Sequence, residues 1–241
     1  MTSLPGRFER DLLFLEQGEL PLENSGREVP HLEYKGEEHE KLSDSDVGRL
    51  AAALCKNDKF VGPLDLVGNE LTDLAALALS KAIENEGARN LTKLDLSNNK
   101  FSGKAGVYIG EALIKNAKYP LYKLSFENVD LEHDGLVRIL EAVNVNKNIL
   151  KLHCGVVTDH GLEILAENLK ENTSLEEIQF QETKDHQKYW TPKGRNAFSD
   201  CLKNHTQLKK VKMMTEHEEE TDAKVFKEEI SYYTQLKAEH L

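Results

Sequence analysis

The sequence predicts an α/β fold: a right-handed solenoid of strand–turn–helix units, with parallel strands on the concave face, helices on the convex face and a separate helix at the C-terminus. Three observations predict it. An apolar-x-x-apolar-x-apolar triplet recurs six times, at Val61/Leu64/Leu66, Leu91/Leu94/Leu96, Leu121/Leu124/Phe126, Ile149/Leu152/Cys154, Leu175/Ile178/Phe180 and Leu208/Val211/Met213. The central residues step by 30, 30, 28, 26 and 33 positions. After each of the first five triplets an apolar residue opens a period of four: Leu71/Ala75/Leu79/Ile83, Phe101/Ala105/Ile109/Leu113, Leu131/Gly135/Ile139/Val143, Val157/Gly161/Leu165/Leu169 and Trp190/Gly194/Phe198/Leu202. Period two followed by period near 3.6 marks a strand leading into a helix. Neither element can bury its apolar face alone, so each unit needs copies of itself on both sides.

The unit is clearest in residues 90–116, NLTKLDLSNNKFSGKAGVYIGEALIKN. Asn ends the helices at Asn57, Asn85, Asn116, Asn146, Asn172 and Asn204, and Asn tolerates the left-handed conformation that stops a helix. On these residues the chain resembles the leucine-rich repeat family, in its ribonuclease-inhibitor-like subclass. Asn69 in LxLxxNxL and Asn99 in LDLSNNxF match the family's turn asparagine. The resemblance implies that each bonds backbone groups of the turn between strand and helix. It covers residues 31–213. Three departures stand out: Val129 at the Asn position of the third copy, a short fourth copy (CGVVTDHG), and Thr183 with an insertion in the fifth. The turn ladder is therefore expected to be regular early and irregular late.

Repeat continuity favours one solenoid with two extensions. Residues 1–30 form an N-terminal extension, 31–59 a degenerate first repeat, 60–207 five repeats, 208–213 a terminal strand, and 214–241 an acidic linker with an amphipathic helix. The extension carries Pro5, Gly6, Pro21, Gly26 and Pro30 around one apolar cluster, Phe8, Leu12, Leu13 and Leu15. It reads as a disordered lead or as a segment docked on the solenoid or on a partner. In the first repeat, Leu32 and Tyr34 suit a short strand; Leu42, Leu50 and Leu54 keep the helical period. Ser43 or Ser45 can cap that helix, with Asp44 and Asp46 beside its positive end. A polar, imperfect repeat is what a solenoid end needs to shield its core.

In the repeats proper, side chains flanking each core Leu face the hollow. One column reads Pro63, Lys93, Lys123, Lys151, Glu177, Lys210. The next reads Asp65, Asp95, Ser125, His153, Gln179, Lys212, and the third Val67, Ser97, Glu127, Gly155, Gln181. This is either a solvated face with compensating charges or a polar surface for protein recognition. It carries no dominant aromatic anchor. The long fifth turn, QETKDHQKYWTP, holds Trp190, by register a core residue at the helix start, and Lys188 with Tyr189 as exposed contacts. The candidate protein-binding set is therefore Lys93, Asp95, Lys123, Ser125, Glu127, Lys151, His153 and Gln179 on the concave face, with Lys188 and Tyr189 on the loop. Beyond Met213 the stretch TEHEEETD is acidic. Val225, Phe226, Ile230, Tyr233 and Leu236 then mark an amphipathic helix that caps the last repeat or docks on another protein.

Composition narrows the function classes. A net charge of −11 and a pI near 5.4 argue against a general nucleic-acid binder. No apolar run approaches ~18 residues, so no membrane insertion is expected. No apolar leader with a cleavage site precedes the repeats, which argues against secretion. Cys55, Cys154 and Cys201 are odd in number and scattered, reading as reduced, buried thiols. His153, Cys154 and His160 make the nearest approach to a metal cluster, but adjacent strand residues point to opposite faces, so no metal site is expected. No GxxxxGK[ST], GxSxG or HExxH motif occurs. No enzyme activity and no cofactor are expected.

The resemblance implies protein binding, since short stand-alone chains of the family bind proteins, including cytoskeletal and ciliary ones. The sequence reads as a non-catalytic interaction module: a small scaffold or structural subunit of a larger hetero-complex, cytoplasmic, in a cytoskeletal or ciliary setting. Two alternatives come from relatives. The chain is similar to tropomodulin, an actin-filament end binder, in NTSLEEIQF with its insertion and in the helix at 222–238. The tropomyosin- and actin-binding segments of that family have no clear counterpart in residues 1–30. A GTPase activator resembling the leucine-rich-repeat activator of the nuclear-transport GTPase is weaker, because that family has longer arrays and a long acidic tail.

Overall fold

The computed structural model describes residues 4–23, 25–28, 31–37, 40–85, 91–183, 190–205, 207–214 and 221–238. Seven strands form one all-parallel sheet in chain order: β1 (Leu32–Glu33), β2 (Gly62–Asp65), β3 (Leu91–Asp95), β4 (Lys123–Ser125), β5 (Lys151–Val157), β6 (Glu177–Glu182) and β7 (Lys210–Met214). Helices α2 (Asp44–Leu54), α3 (Asp73–Glu84), α4 (Gly103–Lys115), α5 (Glu132–Val145), α6 (Asp159–Leu169) and α7 (Pro192–Asn204) follow strands β1 to β6 in turn. Helices α1 (Leu4–Glu16) and α8 (Thr221–Ala238) lie outside the repeats. Leu32, Leu64, Leu94, Leu124, Leu152, Ile178 and Val211 pair strand to strand in one row. All but Val211 are buried. One continuous core runs between sheet and helices.

Two asparagine ladders hold the repeats in register. On the turn side, Asn69 Nδ2 donates to the carbonyls of Tyr34 (2.6 Å) and Leu66 (2.9 Å), and its Oδ1 accepts from Leu42 N (2.8 Å). Asn99 repeats this with Leu66 O (2.9 Å), Leu96 O (2.9 Å) and Leu71 N (3.0 Å). At Val129 the side chain can no longer bond, and only backbone bonds such as Val156 N to Val129 O (2.8 Å) remain.

The second ladder lies where the helices end, and its mechanism differs from the sequence expectation. Asn85, Asn116 and Asn146 have φ of −71°, −109° and −87°; they are not left-handed. Positive φ falls instead in the strand–helix turns, at Gly68, Asn98 and Asn128 among others. The helix-end asparagines instead reach back one repeat. Asn116 Nδ2 donates to Ile83 O (2.8 Å), Asn146 Nδ2 to Tyr119 O (3.0 Å) and Asn172 Nδ2 to Asn144 Oδ1 (2.7 Å). In the last repeat the position belongs to His205 rather than Asn204: Leu208 N donates to His205 Nδ1 (3.0 Å), as Leu175 N donates to Asn172 Oδ1 (2.7 Å).

The helix starts are stitched together as well. Ser43, Thr72, Ser102, Thr158 and Thr191 are the caps of α2, α3, α4, α6 and α7. The N–H and hydroxyl of Thr72 donate to Asp44 (2.8 and 2.6 Å), those of Ser102 to Asp73 (2.9 and 2.6 Å), and those of Thr191 to Asp159 (2.6 and 2.9 Å). Each carboxylate thus sits at its own helix's positive end and fastens the next. The chain breaks at α5, where Leu131 caps without a side-chain bond. There backbone contact substitutes. A methyl added to Gly106 would meet Gly135 Cα at 2.7 Å, and one added to Gly135 would meet Gly103 O at 2.5 Å.

Three local readings are corrected. Val61 is 60% exposed rather than in the core; the register shifts between Gly62 and Pro63, and Phe60 is buried in its place. Gly155 does not occupy the third concave column. A bulge after His153 brings Val156 opposite Gln181, and Gly155 takes φ +74° with no room for a side chain beside Phe126 O and Val129 O. Cys154 and Cys201 are buried and in no disulfide, whereas Cys55 ends α2 only partly covered.

Both ends of the solenoid are covered. Residues 4–16 form a helix docked on the first repeat, in place of a disordered lead. Phe8, Leu12 and Leu15 are buried, and Phe8 meets the Tyr34 ring edge-on at 5.3 Å. The Tyr34 hydroxyl donates to Asp11 Oδ2 (3.2 Å), and Arg49 forms two bonds to Glu9 (2.7 and 2.9 Å). Asn57 Nδ2 donates to Leu15 O and Glu19 O, so α1 holds the place of a preceding repeat's helix. At the other end, Phe226 and Ile230 of α8 are buried. Phe226 lies 6.0 Å from the Trp190 ring and 6.5 Å from Phe198. The side chains of Val225 and Leu236, and residues 215–220 of the acidic stretch, lie outside the described residues.

Candidate functional site: the concave face

The parallel register places the first two columns as read from the sequence. Lys93, Lys123, Lys151, Glu177 and Lys210 are neighbours across β3 to β7, and so are Asp65, Asp95, Ser125, His153, Gln179 and Lys212 across β2 to β7. The short connections from β-strand to convex helix turn these side chains towards the hollow, because the opposite side of each strand is committed to the leucine core. Lys188 and Tyr189 lie outside the described residues.

The face has two halves. At the C-terminal half, Glu177 is the hub. Its carboxylate lies 3.4 Å from Lys151, 3.1 Å from Lys210 and 3.9 Å from Lys212. Burial pushes Glu177 up, but the hydrogen bonds and charges of Lys210 and Lys151 outweigh it and hold it below the usual range. His153 is buried beside this hub. Burial first, then the charge of Lys123, pushes its imidazole down to about 4, against the opposing pull of Glu177 and Asp95. It is therefore neutral at pH 7. Gln179 Nε2 donates to Glu127 Oε2 (3.2 Å), and Glu127 N donates to Ser97 Oγ (2.9 Å). A groove of about 600 Å³ between this half and α8 is lined by Glu127, His153, Gln179, Lys212, Met213 and Ile230, among others.

The N-terminal half is less neutralised. Asp65 pairs with Lys35 at 3.4 Å; burial, followed by repulsion from Asp95, raises its pKa although Val67 N–H donates to it. Asp95 Oδ1 accepts from Ser97 N (3.1 Å). The Lys93 ammonium lies over the Tyr122 ring, 5.2 Å from its centroid. Among the described residues no ion pair satisfies Lys93, Lys123 or Asp95. Ser125 is 1% exposed, and among the described residues its hydroxyl has no hydrogen-bond partner. Asp65, Lys93, Asp95, Lys123 and Ser125, with Glu33 of β1, line a hollow of about 250 Å³ over β1 to β4.

Sequence reasoning brought the eight concave residues together but left out Glu177 and Tyr122. Glu177 was legible as the one acid in a lysine column; Tyr122, just before β4 and outside the columns, carries the Lys93 ammonium over its ring. Trp190 is core: its Nε1 donates to Val157 O (2.8 Å), and its ring meets Phe180 edge-on. Among the described residues no three His, Cys, Asp or Glu side chains converge as metal ligands, and no helix is long and apolar enough to cross a membrane.

The strand order, the repeat register and the turn asparagines define a leucine-rich-repeat-like solenoid. No family model matches the sequence, and no curated protein matches it. Among solved structures, the chain is similar to the leiomodin-1 actin-binding site 2. The alignment covers 97% of this chain and 90% of that one, at 14% identity and a TM-score of 0.38.

Proposed function

We propose that the chain is a non-catalytic protein-interaction module that binds a protein partner on its concave face. The observation supporting this is that Lys93, Lys123 and Asp95 stand without ion-pair partners among the described residues, on a rigid sheet face flanked by capped ends. Like charges opposite one another on neighbouring strands destabilise a sheet, so a partner that neutralises them gains what the fold forgoes. Lys151, His153, Gln179 and Glu127 extend the surface towards α8. The setting proposed is a larger hetero-complex in the cytoplasm, cytoskeletal or ciliary. The test is a photo-reactive residue placed at Lys123 and, as a control, at Lys104 on the convex side. Partner proteins should cross-link from position 123 and not from 104; equal capture from both sites would defeat the concave-face reading. Stimulated hydrolysis in a turnover assay with purified small GTPases would defeat the non-enzyme reading.

An actin-filament end binder is the second reading. It is supported by α8 packed over the last repeat through Phe226 and Ile230. Pointed-end elongation of actin filaments should slow in its presence, and unchanged elongation would remove this reading.

A further inference from the structure

The hollow over β1 to β4 has the makings of a selective subsite. Lys93 and Lys123 are register partners on adjacent strands, so their anchor points stand about 4.8 Å apart. Asp95 lies two residues along β3 on the same face, about 6.7 Å from Lys93 by the strand repeat. Ser125, opposite Asp95, contributes a hydroxyl that is buried, lines the hollow and bonds to nothing among the described residues. A buried hydroxyl without a partner carries a desolvation cost that a ligand can relieve. Two cations and a hydroxyl side by side fit carboxylates, and the anions Asp95, Asp65 and Glu33 that also line the hollow disfavour a phosphate or a purely acidic ligand.

Spacing selects the shape of the occupant. Residues three or four apart on a helix rise about 4.5–6 Å and share a face, which brackets the strand spacing between Lys93 and Lys123. Same-face residues of an extended chain are about 6.7 Å apart and drift out of step with it. Resting on the interaction-module reading above, we propose that this hollow receives a helical segment of the partner. The segment presents two carboxylates one turn apart to Lys93 and Lys123, with a basic residue alongside to meet Asp95. One carboxylate accepts the Ser125 hydroxyl.

The test uses the full chain and three labelled alanine-based peptides that each carry two glutamates and one lysine. The first is a helix carrying two glutamates one turn apart with a lysine beside them. The second is a helix with the same charges scattered around its circumference. The third has the first arrangement interrupted by prolines. The first should bind, and the other two should bind roughly tenfold more weakly. Lys93→Glu with Lys123→Glu should weaken the first helix by roughly tenfold or more and favour its charge-mirrored counterpart; Lys93→Gln with Lys123→Gln is the milder pair if the first fails to fold. Ser125→Ala should weaken binding about fivefold at a melting temperature that does not fall, because it removes an unpartnered buried hydroxyl. Equal binding of the helical and proline-broken peptides, or of the mirrored helix to the wild type, would overturn the proposal. Partners that cross-link at position 123 while no peptide discriminates would overturn the helix inference alone. Loss of both would overturn the interaction reading with it.

Discussion

At the residue scale, the side chains that matter most are polar and buried. Asn99 donates to three carbonyls and accepts from Leu71 N, joining two turns with one amide. Asn99→Ala strands those groups in the core, and at about 1 kcal/mol per bond with added desolvation it should cost about 2–4 kcal/mol in urea denaturation. His153 makes a pH prediction with a definite sign. Its folded pKa of about 4 lies below the ordinary 6.5. Above pH 6.5 both states are neutral and the stability is fully present. As pH falls from 6.5 towards 4, the unfolded chain takes up a proton that the folded chain refuses, so stability is lost across that window. The melting temperature of His153→Gln should fall less steeply than that of the wild type between those values; parallel curves would show that the imidazole is better solvated than its burial implies. The asparagine positions were legible in the sequence, but their bonds at the helix ends were not. A helix-end Asn serves a left-handed stop or a reach to the preceding repeat equally well, and only the neighbour's carbonyl decides.

At the element scale, glycines separate helix propensity from packing. Gly48 in α2 has nothing within 4 Å of an added methyl, whereas Gly106 in α4 faces Gly135 backbone at 2.7 Å. Gly48→Ala should stabilise by about 0.5–1 kcal/mol. Gly106→Ala brings the same propensity gain but forces two helix backbones apart, for a net loss of about 1–3 kcal/mol in thermal or chemical unfolding. The sequence shows both glycines at helical positions, yet the distinction needs the facing helix. The terminal helices follow the same pattern. Phe226 and Ile230 are visible as an apolar stripe; both are buried, and the contact of Phe226 with Trp190 and Phe198 packs α8 over the last repeat. Deleting residues 215–241 removes the buried Phe226 and Ile230, worth about 1.5–3 kcal/mol each before entropy, and uncovers the last repeat. The truncated chain should melt earlier and aggregate; an unchanged melt with loss of a bound partner would make α8 a docking arm instead.

At the scale of the whole molecule, stability is shared along the array, because each repeat is completed by its neighbours. Leu94 and Leu124 are fully enclosed mid-array residues, whereas Val211 on β7 is only half-buried. Leu94→Ala or Leu124→Ala should cost about 2–5 kcal/mol and lower the melting temperature of the entire chain. Val211→Ala should cost visibly less in the same measurement. Equal losses at both places would mean that the array does not unfold as one unit.

The sequence by itself determined the repeat: its period, the order of strand and helix, the leucine row, the turn asparagines and the charge columns of the concave face. These follow from local alternation and helical period, which each segment carries within itself. Tertiary structure decided the rest. It replaced Val61 by Phe60 in the core, inserted the bulge that puts Val156 opposite Gln181, and seated α1 where a further repeat's helix would lie. It also gathered Lys151, Lys210 and Lys212 around Glu177 while leaving Lys93, Lys123 and Asp95 without ion pairs among the described residues. Each of these depends on which groups meet across repeats some thirty residues apart, and a one-dimensional pattern holds the residue types without the distances that make them pair, clash or stand open.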